Sequence, residues 1–257
     1  MPAPALVMLA PGSSDSKVTQ VAHELRREVQ TARPEISVNT AFLAHCPPSG
    51  PQVVSQLVAR GHEEIVFVPM CLTRAASTYE ELDVLVSRVR SAHPGTRFSV
   101  SEPVGPAGSL LSVVDLRLRT ALAHSRVLEV DGLVLSTEGG GDVRGAALVA
   151  RRARQWASHH RVPVVAACCD GSGPSTAQAI GILRSQGRRH IAVGSLFLAA
   201  DAAYEEQVLQ ARRAGAVAVA DPIGAHRELI DLVLARYAYA AMALLEFEGE
   251  LVDAATA

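Results

Sequence analysis

Residues 65–68 read Ile-Val-Phe-Val and decide the fold of this chain. The run is short and apolar on both faces, which is typical of a strand in a parallel sheet that helices cover on both sides. Gly61 precedes this run, and Gly187 precedes a similar run, Ile-Ala-Val, at residues 191–193. The two glycines lie about 126 residues apart (187 minus 61), so the sequence predicts two copies of one α/β unit.

Other short motifs recur in the same order in both halves. Gly-Ser-Ser-Asp at residues 12–15 corresponds to Gly-Gly-Gly-Asp at 139–142, and Glu-Pro-Val-Gly at 102–105 corresponds to Asp-Pro-Ile-Gly at 221–224. A repeat of this length is a duplicated domain, because solenoid units have only about 20–50 residues. The predicted segments are a first domain at 1–124, a second domain at 129–248 and a flexible tail at 249–257.

Short apolar runs alternate with amphipathic stretches along both halves. This alternation predicts two tandem, doubly wound α/β domains with mostly parallel sheets, and a ligand cleft between them. The predicted strands are residues 5–10, 37–43, 64–68, 97–101, 132–136, 164–168, 190–193 and 216–220. The predicted helices are residues 17–31, 52–59, 78–91, 109–123, 144–159, 175–185, 202–214 and 226–247.

The composition of the 257 residues excludes several classes of protein. A hydrophobic content of 49% with 19% charged residues is typical of a soluble globular protein, and a net charge of −2 gives no electrostatic footprint for nucleic acid or an anionic membrane. Four cysteines do not make a disulfide framework. Without a signal-like N-terminus or a long apolar run, we expect a cytoplasmic protein. The last predicted helix has an alanine-rich face that is a candidate interface for a homodimer.

The loops after the strands are where function is expected, because parallel sheets bind ligands outside the carboxyl ends of their strands. These loops resemble the class II tetrapyrrole chelatases of the CbiX/SirB type. Residues 10–15 read Ala-Pro-Gly-Ser-Ser-Asp where that family has Ala-His-Gly-Ser-x-Asp, and Ala-Phe-Leu at 41–43 is followed by Pro48-Ser49. Pro-Met-Cys-Leu at 69–72 stands where the family has Pro-x-Phe-Leu.

The resemblance covers about residues 5–120, with a weaker copy at about 130–240. It implies a lyase-class enzyme that inserts Co²⁺ or Fe²⁺ into sirohydrochlorin, in siroheme or cobalamin biosynthesis. The metal ion would then be a substrate, and no permanently bound cofactor is implied.

The chain departs from the family at the metal-binding positions, which the family fills with two histidines and often a glutamate. At these positions the first half offers neither an imidazole nor a carboxylate, whereas the second half offers two carboxylates. The positions are occupied by Pro11, Ala44 and Ser77 in the first half, and by Glu138, Asp170 and a residue near Ala203 or Tyr204 in the second half.

One hypothesis is a rearranged site that still inserts metal. Glu138 and Asp170 both follow strands, and such a pair of carboxylates could bind a divalent ion. One of them could also accept a pyrrole proton, if desolvation raised its pKa toward neutrality. His45 follows a vacant ligand position and could supply an imidazole. Asp15 and Asp142, which each open a helix, are more typical of helix caps.

A second hypothesis is a homologue that has lost metal insertion. It would bind a tetrapyrrole or another acidic small molecule, or catalyse a different reaction in the same cleft. Glycine-bearing turns that lead into helices can bind an anion through backbone N–H groups, and an arginine can bind a carboxylate. The candidate substrate-binding residues are Gly12, Ser13, Ser14, Arg74, Ser77, Gly139, Gly140, Gly141 and Tyr204.

Several remaining side chains are not expected to carry chemistry. A nucleophilic role for Cys169 is opposed by the adjacent carboxylate of Asp170, which would raise the pKa of the thiol. His159 and His160 lie beside an arginine-rich stretch and are expected to be surface residues. Trp156 is expected to be a packing residue on its helix.

Overall fold

The computed structural model describes residues 3–73 and 76–256. The chain forms two compact units. Unit 1 comprises Met1–Cys71, Thr78–Val104 and Leu229–Ala257, and unit 2 comprises Leu72–Ser77 and Gly105–Glu228. None of the helices in the described residues combines the length and the apolar character that a membrane crossing requires.

Strands and helices alternate along the whole chain, as the apolar runs predict. In chain order the elements are β1 (Ala5–Ala10), α1 (Ser16–Ala32), β2 (Val38–Phe42), α2 (Gly50–Ala59), β3 (Glu64–Pro69), α3 (Ala76–Ala92), β4 (Arg97–Val100), α4 (Leu110–His124), β5 (Gly132–Thr137), α5 (Val143–His160), β6 (Val164–Cys168), α6 (Thr176–Ser185), β7 (Ile191–Leu196), α7 (Ala202–Arg213), β8 (Ala218–Val219) and α8 (Arg227–Thr256).

Each unit contains a four-stranded parallel sheet, and the two sheets have the same strand order. The order is β2-β1-β3-β4 in unit 1 and β6-β5-β7-β8 in unit 2. All residues of β1, β3, β5 and β7 are buried, so the central strands are covered on both faces. The fold class and the duplication of the α/β unit are therefore confirmed.

The helix that ends each sequence repeat belongs to the compact unit built mainly from the other repeat. Helix α4 belongs to unit 2, where the Arg117 guanidinium donates a hydrogen bond to the Ile223 carbonyl at 3.0 Å. Helix α8 belongs to unit 1, where the Tyr237 hydroxyl donates to the Pro4 carbonyl at 2.7 Å. The predicted boundaries at 124 and 129 therefore separate the two sequence repeats. They do not separate the two compact units, because α4 belongs to unit 2 and α8 belongs to unit 1.

Two boundaries differ noticeably from the predicted ones. Strand β8 is limited to Ala218–Val219, which pair with β7 at the edge of the sheet. Helix α8 continues to Thr256, through a segment for which the sequence predicts a flexible tail; the flexibility of 249–257 stays a prediction.

Candidate functional site

The register of unit 2 brings the ends of three strands together. Thr137, the last residue of β5, lies opposite Cys168 of β6 on one side and Leu196 of β7 on the other. Glu138 therefore leaves the sheet between the loop after β6 and the loop after β7. Those two loops contain Cys169 and Asp170, and Phe197 and Leu198, respectively.

Glu138 has the most strongly perturbed carboxyl group of this region. Burial raises the pKa of Glu138 to about 7, and the negative charge of Asp201 adds to the rise. A hydrogen bond from the backbone N–H of Leu198 stabilises the carboxylate and opposes the shift. With a pKa of about 7, the carboxyl group changes its protonation state near neutral pH.

Asp201 is the N-cap of α7 and adds a second carboxylate to the environment of Glu138. Its side chain accepts a hydrogen bond from the backbone N–H of Tyr204 at 2.9 Å. Burial raises the pKa of the Cys169 thiol to about 11, with further contributions from Cys168 and from the charges of Glu138, Asp170 and Asp201. Cys169 is therefore a neutral thiol at physiological pH, in agreement with the expectation that it is not a nucleophile.

Asp170 ties the loop after β6 to the glycine loop after β5. Its Oδ2 accepts from the backbone N–H of Gly141 at 3.2 Å, and its Oδ1 accepts from the backbone N–H of Ser172 at 2.9 Å and from its hydroxyl at 2.5 Å. Partial burial alone would raise the pKa of Asp170, but these hydrogen bonds outweigh it and hold the pKa below its ordinary value. Asp170 is therefore an exposed, ionised carboxylate with both oxygens in use.

The glycine loop at 139–141 fits tightly against this carboxylate. A Cβ on Gly139 would lie 2.0 Å from Asp170 Oδ2, and the Gly140 N–H donates to the Ser172 hydroxyl at 2.9 Å. The N–H groups of Gly140 and Gly141 are thus occupied inside the protein, where an anionic ligand was expected. Ser172 is the site residue that the sequence analysis missed, although Asp-Gly-Ser at 170–172 is a recognisable Asx-turn pattern.

The corresponding loops of unit 1 are joined by backbone contacts instead. Gly12 has φ of +84°, and a Cβ on it would lie 2.0 Å from the Ala44 carbonyl oxygen. The Ala44 N–H donates to the Pro11 carbonyl at 3.2 Å, which fixes the same two loops that Asp170 joins in unit 2. The family's histidine and glutamate positions are filled here by an imino ring and a methyl group.

The other predicted residues of unit 1 do not form a cluster of ligands. The Ser13 hydroxyl accepts from the Asp15 N–H at 3.0 Å, and Ser14 is exposed. His45 is also exposed and has φ of +65°, which presents it at a tight turn. Asp15 accepts from the Lys17 N–H at 2.9 Å, which confirms its predicted role as a cap.

Three residues predicted to bind substrate need separate comment. Tyr204 is buried, packs edge-on against Phe197 and donates its hydroxyl to the Ala220 carbonyl at 3.1 Å, so burial raises its pKa to about 12. That is the environment of a core residue, and the prediction of Tyr204 as a substrate-binding group is corrected on this ground. Arg74 lies outside the described residues, and Ser77 lies in the first turn of α3, whose side chains there are not described.

A cavity of about 380 Å³ in unit 1 lies between α2 and α3 and not at the carboxylates. It is lined by apolar groups such as Leu43, Val84 and Leu85, together with Glu80 and Glu81. Its charged lining residues, Glu80, Glu81 and Arg88, carry one more negative than positive charge, which does not favour a ligand with several acidic groups. We therefore place the candidate site at the strand ends of unit 2, where Glu138, Cys169, Asp170 and Asp201 lie together.

Comparison with solved structures gives the same architecture. SirB from Bacillus subtilis with Fe³⁺ matches with a TM-score of 0.77 and 20% identity, over 93% of this chain and 96% of that chain. SirB from Bacillus subtilis subspecies spizizenii in complex with cobalt matches with a TM-score of 0.75 and 18% identity, over the same shares. CbiX, described as the terminal enzyme for biosynthesis of siroheme in denitrifying bacteria, matches with a TM-score of 0.62 and 18% identity, over 92% and 99%.

The fold and the strand-end loops thus define a protein of the tandem, chelatase-like α/β class. At these identities the structural similarity establishes the fold alone, and no curated protein matches the sequence. The sequence model of the CbiX family matches the chain twice, at residues 5–121 and 132–240, and the two matches together cover most of the chain. The chain belongs to the CbiX family.

Proposed function

We propose that this protein inserts Co²⁺ or Fe²⁺ into sirohydrochlorin, with Glu138 as the group that accepts a proton from the macrocycle. The observation that carries the proposal is the raised pKa of Glu138, about 7, at a strand end where the related chelatases are expected to have a histidine. A carboxyl group with such a pKa can do the acid–base work of an imidazole at neutral pH.

Metal insertion requires the loss of two protons. The two pyrrole N–H groups of the macrocycle release their protons, and their nitrogen lone pairs then bind the divalent ion. Ionised Glu138 accepts one of these protons at its carboxylate and, with a pKa of about 7, releases it again near neutral pH. The second proton leaves to water or buffer.

Glu138 and Asp201 are the two carboxylates that we assign to the incoming ion. Each influences the other electrostatically, and a divalent cation beside them would remove their mutual repulsion. Asp170 is assigned a positioning role, because both of its oxygens already accept hydrogen bonds in the loops around Glu138. The imidazole role of His45 stays a prediction from the sequence.

The first test is an anaerobic optical titration of the protein with sirohydrochlorin, followed by Co²⁺ and then Fe²⁺. We expect a perturbed macrocycle spectrum and insertion faster than in a protein-free control. The insertion rate should rise as the pH increases through about 7, because only ionised Glu138 accepts a proton. Binding of the macrocycle without faster insertion would instead support a homologue that has lost chelation.

The matched variants are Glu138→Gln and Glu24→Gln. Glutamine keeps the shape of the neutral carboxyl group but cannot accept the proton, so Glu138→Gln should lower the insertion rate about 10²–10⁴-fold and remove its rise near pH 7. Glu24 is exposed on α1, and its replacement should leave the rate unchanged. Full activity of Glu138→Gln would refute the assignment of Glu138.

A further inference from the structure

Asp115 of α4 and the last two residues of α5, His159 and His160, form a compact cluster in unit 2. The His160 Nε2 lies 2.7 Å from Asp115 Oδ1, and the His159 Nε2 lies 3.7 Å from Asp115 Oδ2. One ligand atom from each of the three residues lies within 4.8 Å of the other two. Among the residues whose side chains are described, no second cluster of this kind was found.

We propose that Asp115, His159 and His160 bind a divalent transition-metal ion, at a site separate from the strand-end carboxylates. Two imidazoles and one carboxylate are donors that suit Zn²⁺, Co²⁺ and Ni²⁺ better than Mg²⁺ or Ca²⁺. In a tetrahedral site with bonds of about 2.0–2.1 Å, ligand atoms lie about 3.3 Å apart. The separation of 2.7 Å between His160 Nε2 and Asp115 Oδ1 is shorter than that value, and the separation of 3.7 Å between His159 Nε2 and Asp115 Oδ2 is longer, so the side chains would rotate to share one ion.

The position of Asp115 explains how adjacent histidines can share one ion. Neighbouring residues on a helix point about 100° apart, so their side chains converge only on a group that lies between them. Asp115 occupies that place from α4, and the two histidine rings meet edge to face with centroids 4.9 Å apart. His159 is exposed and His160 is half-buried, so the cluster lies at the protein surface.

A second layer of contacts fixes the carboxylate before any ion arrives. The Trp156 indole N–H donates to Asp115 Oδ1 at 2.5 Å, and the indole itself is buried. Gly194 of β7 makes room for this arrangement, since a Cβ there would lie 2.4 Å from the Trp156 ring and 2.6 Å from Val114 of α4. Such hydrogen-bonded support is characteristic of metal ligands, because it orients the ligand oxygen that faces the ion.

Open space adjoins the cluster on two sides. A cavity of about 270 Å³ is lined by Asp115, Trp156 and His159, and another of about 110 Å³ is lined by Asp115 and His160. Three protein ligands would leave positions on the ion for water or another small ligand, and these cavities provide the room.

The cluster lies far from the candidate strand-end site. Helix α5 begins at Val143, just after the glycine loop, and ends at His160. At 1.5 Å per residue its length is about 25 Å. The proposed site therefore does not depend on the proposed chelatase chemistry, and each can fail without the other.

The test is a titration of the purified, metal-free protein with Co²⁺ in the absence of any macrocycle. Binding is followed by the visible ligand-field absorption of Co²⁺, and Zn²⁺ is then measured by competition with a chromophoric chelator. The titration is run on Glu138→Gln/Asp201→Asn, which removes the two carboxylates assigned to the ion at the strand-end site; asparagine at 201 keeps a helix-capping oxygen. We expect one ion per chain to bind still, with a spectrum that indicates nitrogen ligation.

His159→Ala is the decisive variant, because His159 is exposed and its loss should not disturb the fold. Its affinity for Co²⁺ should fall at least about 10-fold, and the ligand-field spectrum should change. His124→Ala, at the exposed end of α4, is the matched control and should bind like the parent. Unchanged affinity in His159→Ala, or no binding by the parent at micromolar Co²⁺, would overturn the proposal.

Discussion

The strand-end loops of the two units have the same framework and different chemistry. In both units a glycine lies two residues after the end of a central strand, β1 or β5, and packs against the loop of the neighbouring strand. In unit 1 the contact is between Gly12 and the Ala44 backbone, and in unit 2 it is between Gly139 and the Asp170 side chain. Unit 2 thus carries ionisable groups where unit 1 carries none of the expected ligands.

Helices α2 of unit 1 and α6 of unit 2 begin with the same capping arrangement. The Gln52 side chain accepts from the Ser49 N–H at 2.9 Å in unit 1, and the Gln178 side chain accepts from the Ser175 N–H at 2.8 Å in unit 2. Both pairs belong to capping boxes that fix the start of a helix. The comparison teaches that the two units share the elements that build the scaffold, whereas the carboxylates at the family's ligand positions, Glu138 and Asp170, belong to unit 2.

Gly12→Ala should show the largest effect on stability, because the obstructing atom in unit 1 is a backbone oxygen that cannot rotate away. The methyl group would lie 2.0 Å from the Ala44 oxygen, and φ at this position is +84°. We expect the free energy of unfolding to fall by about 2–4 kcal/mol. Urea denaturation followed by circular dichroism measures this change.

Two glycines serve as controls for that experiment. Gly61 has φ of +86° but nothing within 4 Å of its Cβ position, so Gly61→Ala should cost only about 1 kcal/mol. Gly139→Ala should fall between the two, because the Asp170 side chain can turn away at the expense of its hydrogen bonds. Equal losses for Gly12 and Gly61 would show that the close contact with Ala44 is unimportant.

Glu138→Gln should sharpen the difference between the units through the pH dependence of stability. The pKa of Glu138 rises from 4.5 to about 7 on folding, so the folded protein holds a proton that the unfolded chain has lost. The contribution of this carboxyl group to the free energy of unfolding is fully present below pH 4.5 and is lost as the pH rises through 7. Glutamine avoids the burial of charge, so the variant should be about 2–3 kcal/mol more stable at pH 8 and equal at pH 4.

Thermal or chemical unfolding of the two proteins at several pH values measures this difference. Glu24→Gln, on the exposed face of α1, should follow the parent at every pH. A constant offset between Glu138→Gln and the parent would mean that the carboxyl group is ionised normally in the folded state.

The sequence predicts the scaffold well because the scaffold depends on local patterns. The apolar runs of β1 and β6 are predicted to the residue, and those of the other long strands are predicted to within a few residues. The burial of Trp156 is also confirmed, since an indole on an amphipathic helix has few other favourable places. Asp142 accepts from the Gly145 N–H at 2.6 Å and is a helix cap, as its place before the helix indicates.

The candidate site is less predictable because its contacts join residues that are distant in sequence. Ser172 binds Gly140 from 32 positions away, and Asp115 meets His160 from 45 positions away. His159 and His160 were expected to be plain surface residues, but Asp115 in the apolar stretch Leu-Leu-Ser-Val-Val-Asp-Leu could have signalled a buried partner. Tyr204 lies in the first turn of α7, and its packing against Phe197 is a tertiary contact that the sequence pattern does not reveal.

Asp170→Asn should have the smallest effect and tests whether the side-chain bridge of unit 2 replaces the backbone bridge of unit 1. Asparagine keeps one acceptor oxygen, so one of the hydrogen bonds to Gly141 and Ser172 should be lost. We expect the free energy of unfolding to fall by about 1 kcal/mol at neutral pH. The pKa of Asp170 is held low, so its contribution is present above pH 3.8 and fades as the pH falls through the lower folded value. The difference in the free energy of unfolding between parent and variant, measured with urea, should therefore become smaller at acidic pH. A difference that does not shrink at all as the pH is lowered from 3.8 would show that the carboxylate charge does not hold these loops together, and the glycine loop would then depend on close packing alone, as in unit 1.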